Sequence, residues 1–170
     1  MQITSAYANK LLKKLQEEKD FLLQKEAKSS TYTASVNEEP VVPDFDFKLN
    51  SCMIYSIDIK IATIKHALNI SNSTNTFEVD GESMTVDTAL IKMAQLNSRK
   101  KTLDIMRKRQ EKARVNDVYS RNNVPEYVYT NYKVADAEDE FNKCSELITN
   151  IQLALDKYNQ TVLFDVDIEN

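Results

Sequence analysis

The chain has 170 residues, is 42% hydrophobic and 28% charged, and carries a formal net charge of −4. A single glycine, Gly81, excludes a P-loop or a G-x-G-x-x-G fingerprint, since both use several glycines to bring backbone amides against phosphate. One histidine and two cysteines are too few for a His/Cys zinc site, and so little glycine predicts few tight turns and long helices.

Four segments carry helical periodicity. The first, about 5–28, places Ala8, Leu11, Leu12, Leu15 and Leu22 on one side, with Ser5 as its expected N-cap. A polar linker, 29–46, follows, with Pro40 and Pro43 among the acids Glu38, Glu39, Asp44 and Asp46. The second helix, about 47–69, has a stripe Ile54, Ile57, Ile61, Ile64, Leu68 that repeats by three and four, the spacing of a packed seam. Tyr55, Ile59 and Ala62 project from nearly the opposite side. A helix apolar on two faces is covered on both, either by its own chain or by another subunit.

In the 70–84 connection, Asp80-Gly81 between the runs Thr76–Val79 and Glu82–Met84 signals a type I′ hairpin. The third helix is expected over about 85–113, capped by Thr85 or Ser83, with Ala89, Met93, Leu96, Leu103 and Met106 inward. The 114–130 loop alternates in Val118–Arg121 and Tyr127–Tyr129, suggesting a second small hairpin. The fourth helix, about 131–163, has the most regular seam: Val134, Ala137, Phe141, Cys144, Ile148, Ile151, Leu155, Tyr158, Val162. The expected fold is all-α: one helical domain, 1–170, of four long antiparallel helices with two small β-hairpin excursions, assembled as a homo-oligomer. Cys52 and Cys144 fall inside helical patterns and read as small buried hydrophobes of a reducing compartment. With neither a signal-peptide pattern at Met1–Tyr7 nor an apolar run of about 18 residues, the expected location is the cytoplasm, away from membranes.

The order of these pieces matters beyond each alone. Ile64-Lys65-His66-Ala67-Leu68-Asn69 followed by Asn72-Ser73, Asp80-Gly81 leading to Thr85 and Ala89-Leu90, Tyr119-Ser120-Arg121, and the long last helix stand in sequence. In that order the chain resembles the septicolysin-like family of small helical bacterial proteins, over about residues 8–163. The resemblance implies long antiparallel helical hairpins and a homo-oligomer, and no established reaction. A Glu-Arg-Asp run usual early in the third helix of that family reads Lys92-Met93-Ala94 here, and the Ile-Lys segment after Tyr-Ser-Arg is replaced by Val124-Pro125-Glu126-Tyr127. A role shared by those charges in the family would be altered in this chain.

Candidate chemistry is sparse. His66 lacks a G-x-S-x-G elbow or comparable nucleophile motif and reads as a packed or capping histidine. Glu17-Glu18, Glu38-Glu39 and Asp139-Glu140 are adjacent pairs, so their side chains diverge on a helix, and none forms an E-x-x-H motif. They read as solvated surface charge. No catalytic residue, metal site or cofactor is expected, and the chain reads as a non-enzyme. Residues 99–114 carry a balance of +6, and 134–170 a balance of −7. Cations late in the third helix suit its negative dipole end, and opposite charge on neighbouring helices favours their pairing. Those bases go most of the way round the helical wheel, which disfavours nucleic acid as the partner.

The densest signal is aromatic and cationic. Tyr119, Tyr127, Tyr129 and Tyr132 fall within 14 residues, near Arg114, Arg121 and Lys133 and downstream of Arg107 and Arg109. Tyrosine offers a flat face for a base, and arginine a planar fork for phosphate. Arg107, Arg109, Arg114, Tyr119, Arg121, Tyr127, Tyr129 and Lys133 are therefore the candidate ligand-binding set, for a small nucleotide-like anion. The alternative is a hairpin whose tyrosines pack on the bundle end or on a neighbouring subunit, in a structural protein whose helices bind a protein partner.

Overall fold

The computed structural model of the chain describes residues 1–115 and 125–168. Their elements run β1 (Gln2–Thr4), α1 (Ser5–Ser29), α2 (Phe47–Thr74), β2 (Thr76–Val79), β3 (Glu82–Thr85), α3 (Val86–Arg107), β4 (Lys112–Arg114), β5 (Tyr127–Tyr129), α4 (Val134–Thr161) and β6 (Leu163–Asp165). The predominantly helical class is as expected, with the four described helices lying where apolar periodicity puts them. The chain gathers into two compact units, Met1–Asn75 with Lys157–Asn170, and Thr76–Asp156.

The first unit is organised around α1 and α2. Its core holds Ala8, Leu15 and Leu22 from α1 and Ile57 and Ile64 from α2, flanked by Leu11, Leu12, Ile54, Ile61 and Leu68. These are the stripes that the 3.6-residue period predicts. The two helices run antiparallel, because Lys19 meets Asp58 at 2.6 Å while Asn50, earlier in α2, donates to the Leu22 carbonyl and the Glu26 carboxylate later in α1. Strand β1 pairs antiparallel with β6, which sets Ile3 opposite Phe164, both buried in the same core. The Met1 ammonium donates to the Val166 carbonyl at 2.7 Å and continues the pairing. This strand pair is not legible in the sequence: three-residue strands leave too short an alternation, and the paired residues lie 159 to 163 positions apart.

Several boundaries differ from expectation, each for a local reason. Thr4, extended at the end of β1, caps α1 by accepting from the Tyr7 amide, so Ser5 is the first helical residue and not the cap. Helix α2 continues to Thr74 through a polar stretch. There the Ser73 and Thr74 hydroxyls bond back to the Ile70 carbonyl, and Ser71 is buried against the Tyr158 hydroxyl at 3.2 Å. Asp46 caps its start, accepting from the Leu49 amide.

The second unit begins with the β2–β3 hairpin, whose two-residue turn has positive φ at Asp80 (52°) and Gly81 (83°), as a type I′ turn requires. Asn150 of α4 donates to the Asp80 carboxylate. Thr85 caps α3, accepting from the Thr88 amide. Leu103, Ala137 and Cys144 form the core between α3 and α4, with Leu96, Met106, Tyr132 and Phe141 packed on it. Helix α3 stops at Arg107, not near residue 113. No apolar side chain between Met106 and Ala113 could hold a longer helix to the core. The Met106 carbonyl is instead taken by the Tyr132 hydroxyl at 2.8 Å and the Arg109 amide at 3.2 Å, and the chain leaves the helix to pair as β4. The α4 seam is as expected, with Ala137, Cys144, Ile148, Ile151, Leu155 and Tyr158 buried, although the helix begins at Val134 and Leu163 belongs to β6.

Candidate functional site

The hairpin of β4 and β5 carries the candidate site. Its register sets Lys112 opposite Tyr129, Ala113 opposite Val128 and Arg114 opposite Tyr127. Directly opposed residues share a face and alternate ones change face. Lys112, Arg114, Tyr127 and Tyr129 therefore stand together on one side. The ladder extends by the Val115 amide donating to the Glu126 carbonyl (2.9 Å) and the Thr130 amide to the Glu111 carbonyl (3.1 Å). Glu111 and Glu126, one residue before Lys112 and Tyr127, are assigned by alternation to the other side. The pleat thus sorts cations and rings from carboxylates.

The geometry of that face is specific. Lys112 Nζ lies 4.3 Å from the Tyr127 ring centroid and 5.5 Å from that of Tyr129. The rings are 6.5 Å apart and inclined at 50°. Tyr127 is 43% exposed and Tyr129 62%, and Lys112 and Arg114 are exposed too. A cation over an aromatic face gains about 0.5–1 kcal/mol at such a site, so the lysine orders the face without closing it. Chemically the patch can bind: it offers π faces and two cations, and none of the four groups is a carboxylate base.

The other candidates are dispersed. Arg107 is engaged within the chain. It binds Asp104 at 2.8 Å and Glu138 at 3.0 Å, and its guanidinium lies 3.9 Å from the Phe141 ring centroid. The Asp104 hydrogen bond, followed by Glu138, raises the Arg107 pKa above its usual range. Asp104 is in turn lowered, first by Lys108 and then by Arg107. This network joins basic α3 to acidic α4, the pairing role that opposite charge on neighbouring helices suggests. Arg109 is exposed just past α3, and Lys133 is exposed at the start of α4, where its carbonyl accepts from the Asp136 and Ala137 amides. Tyr132 is committed to the core and to the Met106 carbonyl. Tyr119 and Arg121 lie outside the described residues. Lys112 stands on this face, although the candidate ligand-binding set leaves it out and the sequence shows it only as part of the basic 99–114 tract. Its signal was present as the two-residue step to Arg114, hidden because the segment reads as the end of a helix.

His66 is exposed on α2, neither packed nor capping, and lines a cleft of about 500 Å³ with Ser71, Asp165 and Asp167. Cys52 is exposed as well, contrary to expectation, while Cys144 is buried. Among the described residues there is no cluster of three or more His, Cys, Asp or Glu placed to hold a metal, and no helix is long and apolar enough to cross a membrane.

No family model matches the chain, and no curated protein does. A solved structure of a functionally unknown conserved protein from Corynebacterium diphtheriae is similar to it, with 13% identity and a TM-score of 0.59 over 97% of this chain and 100% of that one. At that identity the likeness is one of fold alone.

Proposed function

We propose that the protein is a non-enzymatic, homo-oligomeric helical binding protein of the antiparallel-bundle kind, which holds a small nucleotide-like anion on the β4–β5 hairpin. The observation that carries this reading is the placement of Lys112, Arg114, Tyr127 and Tyr129 on one strand face. A planar base would stack on a tyrosine ring while its phosphate takes Lys112 and the Arg114 fork. Lys112 already lies against both rings, so a ligand phosphate meets a cation that is in position before binding. A cytoplasmic location and a place in the septicolysin-like family accord with this reading and add no reaction to it.

Thermal-shift measurements against mononucleotides and cyclic dinucleotides test it. A ligand at a hundred times its Kd is expected to stabilise the chain by about 2.7 kcal/mol. That stabilisation should disappear in Arg114→Ala and fall in Tyr127→Ala. The reading fails if no nucleotide stabilises the chain, or if the Arg114→Ala/Tyr127→Ala double variant responds as the original chain does.

A second reading, a structural protein that binds other helices, is favoured by a different observation. Tyr55 is 69% and Ile59 49% exposed on α2, so the described residues leave that apolar line uncovered.

A further inference from the structure

Helix α2 is apolar twice over. Its inner stripe fills the core of the first unit. Its outer stripe, Cys52, Tyr55, Ile59, Ala62, His66 and Ile70, is exposed at every position. The steps of three and four keep these six on one face for about 27 Å of helix. None carries a formal charge with histidine neutral. The solvent side of α1, by contrast, bears the Lys13–Glu17 and Lys14–Glu18 ion pairs.

We infer that this outer stripe is the contact with a second copy of the chain, the two α2 helices packing antiparallel about a two-fold axis near residues 60 and 61. The order of the side chains carries the choice of occupant. Read backwards from the axis, the stripe complements itself. Ile59 falls opposite the partner's Ala62, Tyr55 opposite the partner's His66, and Cys52 within one residue of the partner's Ile70. Large side chains meet smaller or flat ones, the alternation that lets two helices interdigitate. A self-complementary patch is what an isologous two-fold contact needs.

Charge supports the same occupant. Lys60 and Asp167 line one cleft of about 490 Å³ beside the stripe, at the level of the axis. The two-fold operation brings Lys60 of each chain towards the partner's Asp167, so the two charged residues that line this cleft among the described ones meet as opposites. A second cleft, lined by His66, Ile70 and Leu163, continues along the same side of α2. Both lie within the first unit, and the contact does not depend on the hairpin or on any ligand.

Sedimentation equilibrium of the full chain, without added nucleotide, is expected to return twice 19.5 kDa. Ile59→Glu, which buries two like charges near the axis, is expected to return the monomer with unchanged helical circular dichroism. The register is tested separately. Mild oxidation of Ile70→Cys should give a covalent dimer through Cys52 of one chain and the new thiol of the other, and Cys52→Ser in that background should abolish it. This crosslink decides the matter even if Ile59→Glu loses its helicity. The inference is overturned if the chain stays monomeric at about 100 µM, where a dimer of ~1 µM Kd is formed. It is equally overturned if folded Ile59→Glu keeps the dimer mass, or if the unmodified chain joins Cys52 to the partner's Cys52 as readily as Ile70→Cys crosslinks.

Discussion

Ile64→Ala and Ile59→Ala make the same chemical change on opposite faces of α2, and their costs should differ about threefold. Ile64 is 0% exposed in the core of the first unit. Its truncation removes roughly three methylene equivalents from a closed environment, or about 2.4 kcal/mol of transfer free energy. A residual cavity of about 20–60 Å³ adds roughly 0.5–1.5 kcal/mol, for a total near 3–4 kcal/mol. Ile59 is half exposed, so about half the transfer term applies and no closed cavity forms. The better helix propensity of alanine returns a few tenths of a kcal/mol at both sites, leaving Ile59→Ala near 1 kcal/mol. Urea unfolding followed by circular dichroism reads the difference. With a slope of about 2 kcal/mol/M, Ile64→Ala lowers the midpoint by about 1.5–2 M and Ile59→Ala by about 0.5 M. The comparison is made at low protein concentration, because a second copy covering Ile59 adds a concentration-dependent cost to that variant alone. Equal costs in dilute solution would place Ile59 in the chain's own core and refute the two-faced description of α2.

Acid should weaken the α3–α4 contact. Asp104 is held below its ordinary pKa by Lys108 and Arg107, and Glu140 by Lys143. A carboxylate depressed in the folded state contributes stability that is present above its unfolded pKa and lost as pH falls through the folded one. Urea midpoints should therefore be flat near neutrality and fall below about pH 4, with a shallower fall in Asp104→Asn. Gly81→Ala should cost about 1 kcal/mol, seen as a Tm lowered by roughly 2–4 °C. The added Cβ meets nothing within 4 Å, so the cost comes from the backbone at φ +83° alone. A loss several times larger in calorimetry would mean that the turn is packed against something.

The hairpin face shows where sequence reading stops. Arg114, Tyr127 and Tyr129 were legible as a cluster because aromatic and cationic residues are dense there, but their partner Lys112 reads as the end of a helix. Only the termination of α3 at Arg107 frees residues 112–114 to pair with 127–129. Arg107 is the converse case. Its neighbours Glu138 and Phe141 lie more than 30 positions away, and nothing local reveals that they consume its donors and its face.

What the sequence determined by itself is whatever repeats with the period of a helix or obeys the stereochemistry of a turn. The inner stripe of α2, the α4 seam and the Asp80-Gly81 reversal are local patterns, set by side-chain spacing and by glycine's freedom at positive φ. Tertiary structure decided the rest: the pairing of β1 with β6, the early end of α3, the side of the hairpin on which Lys112 stands, and the exposure of Tyr55, Ile59 and His66. Each depends on contacts between residues far apart in the chain. Periodicity states that a face is apolar, and only packing states which apolar face is covered.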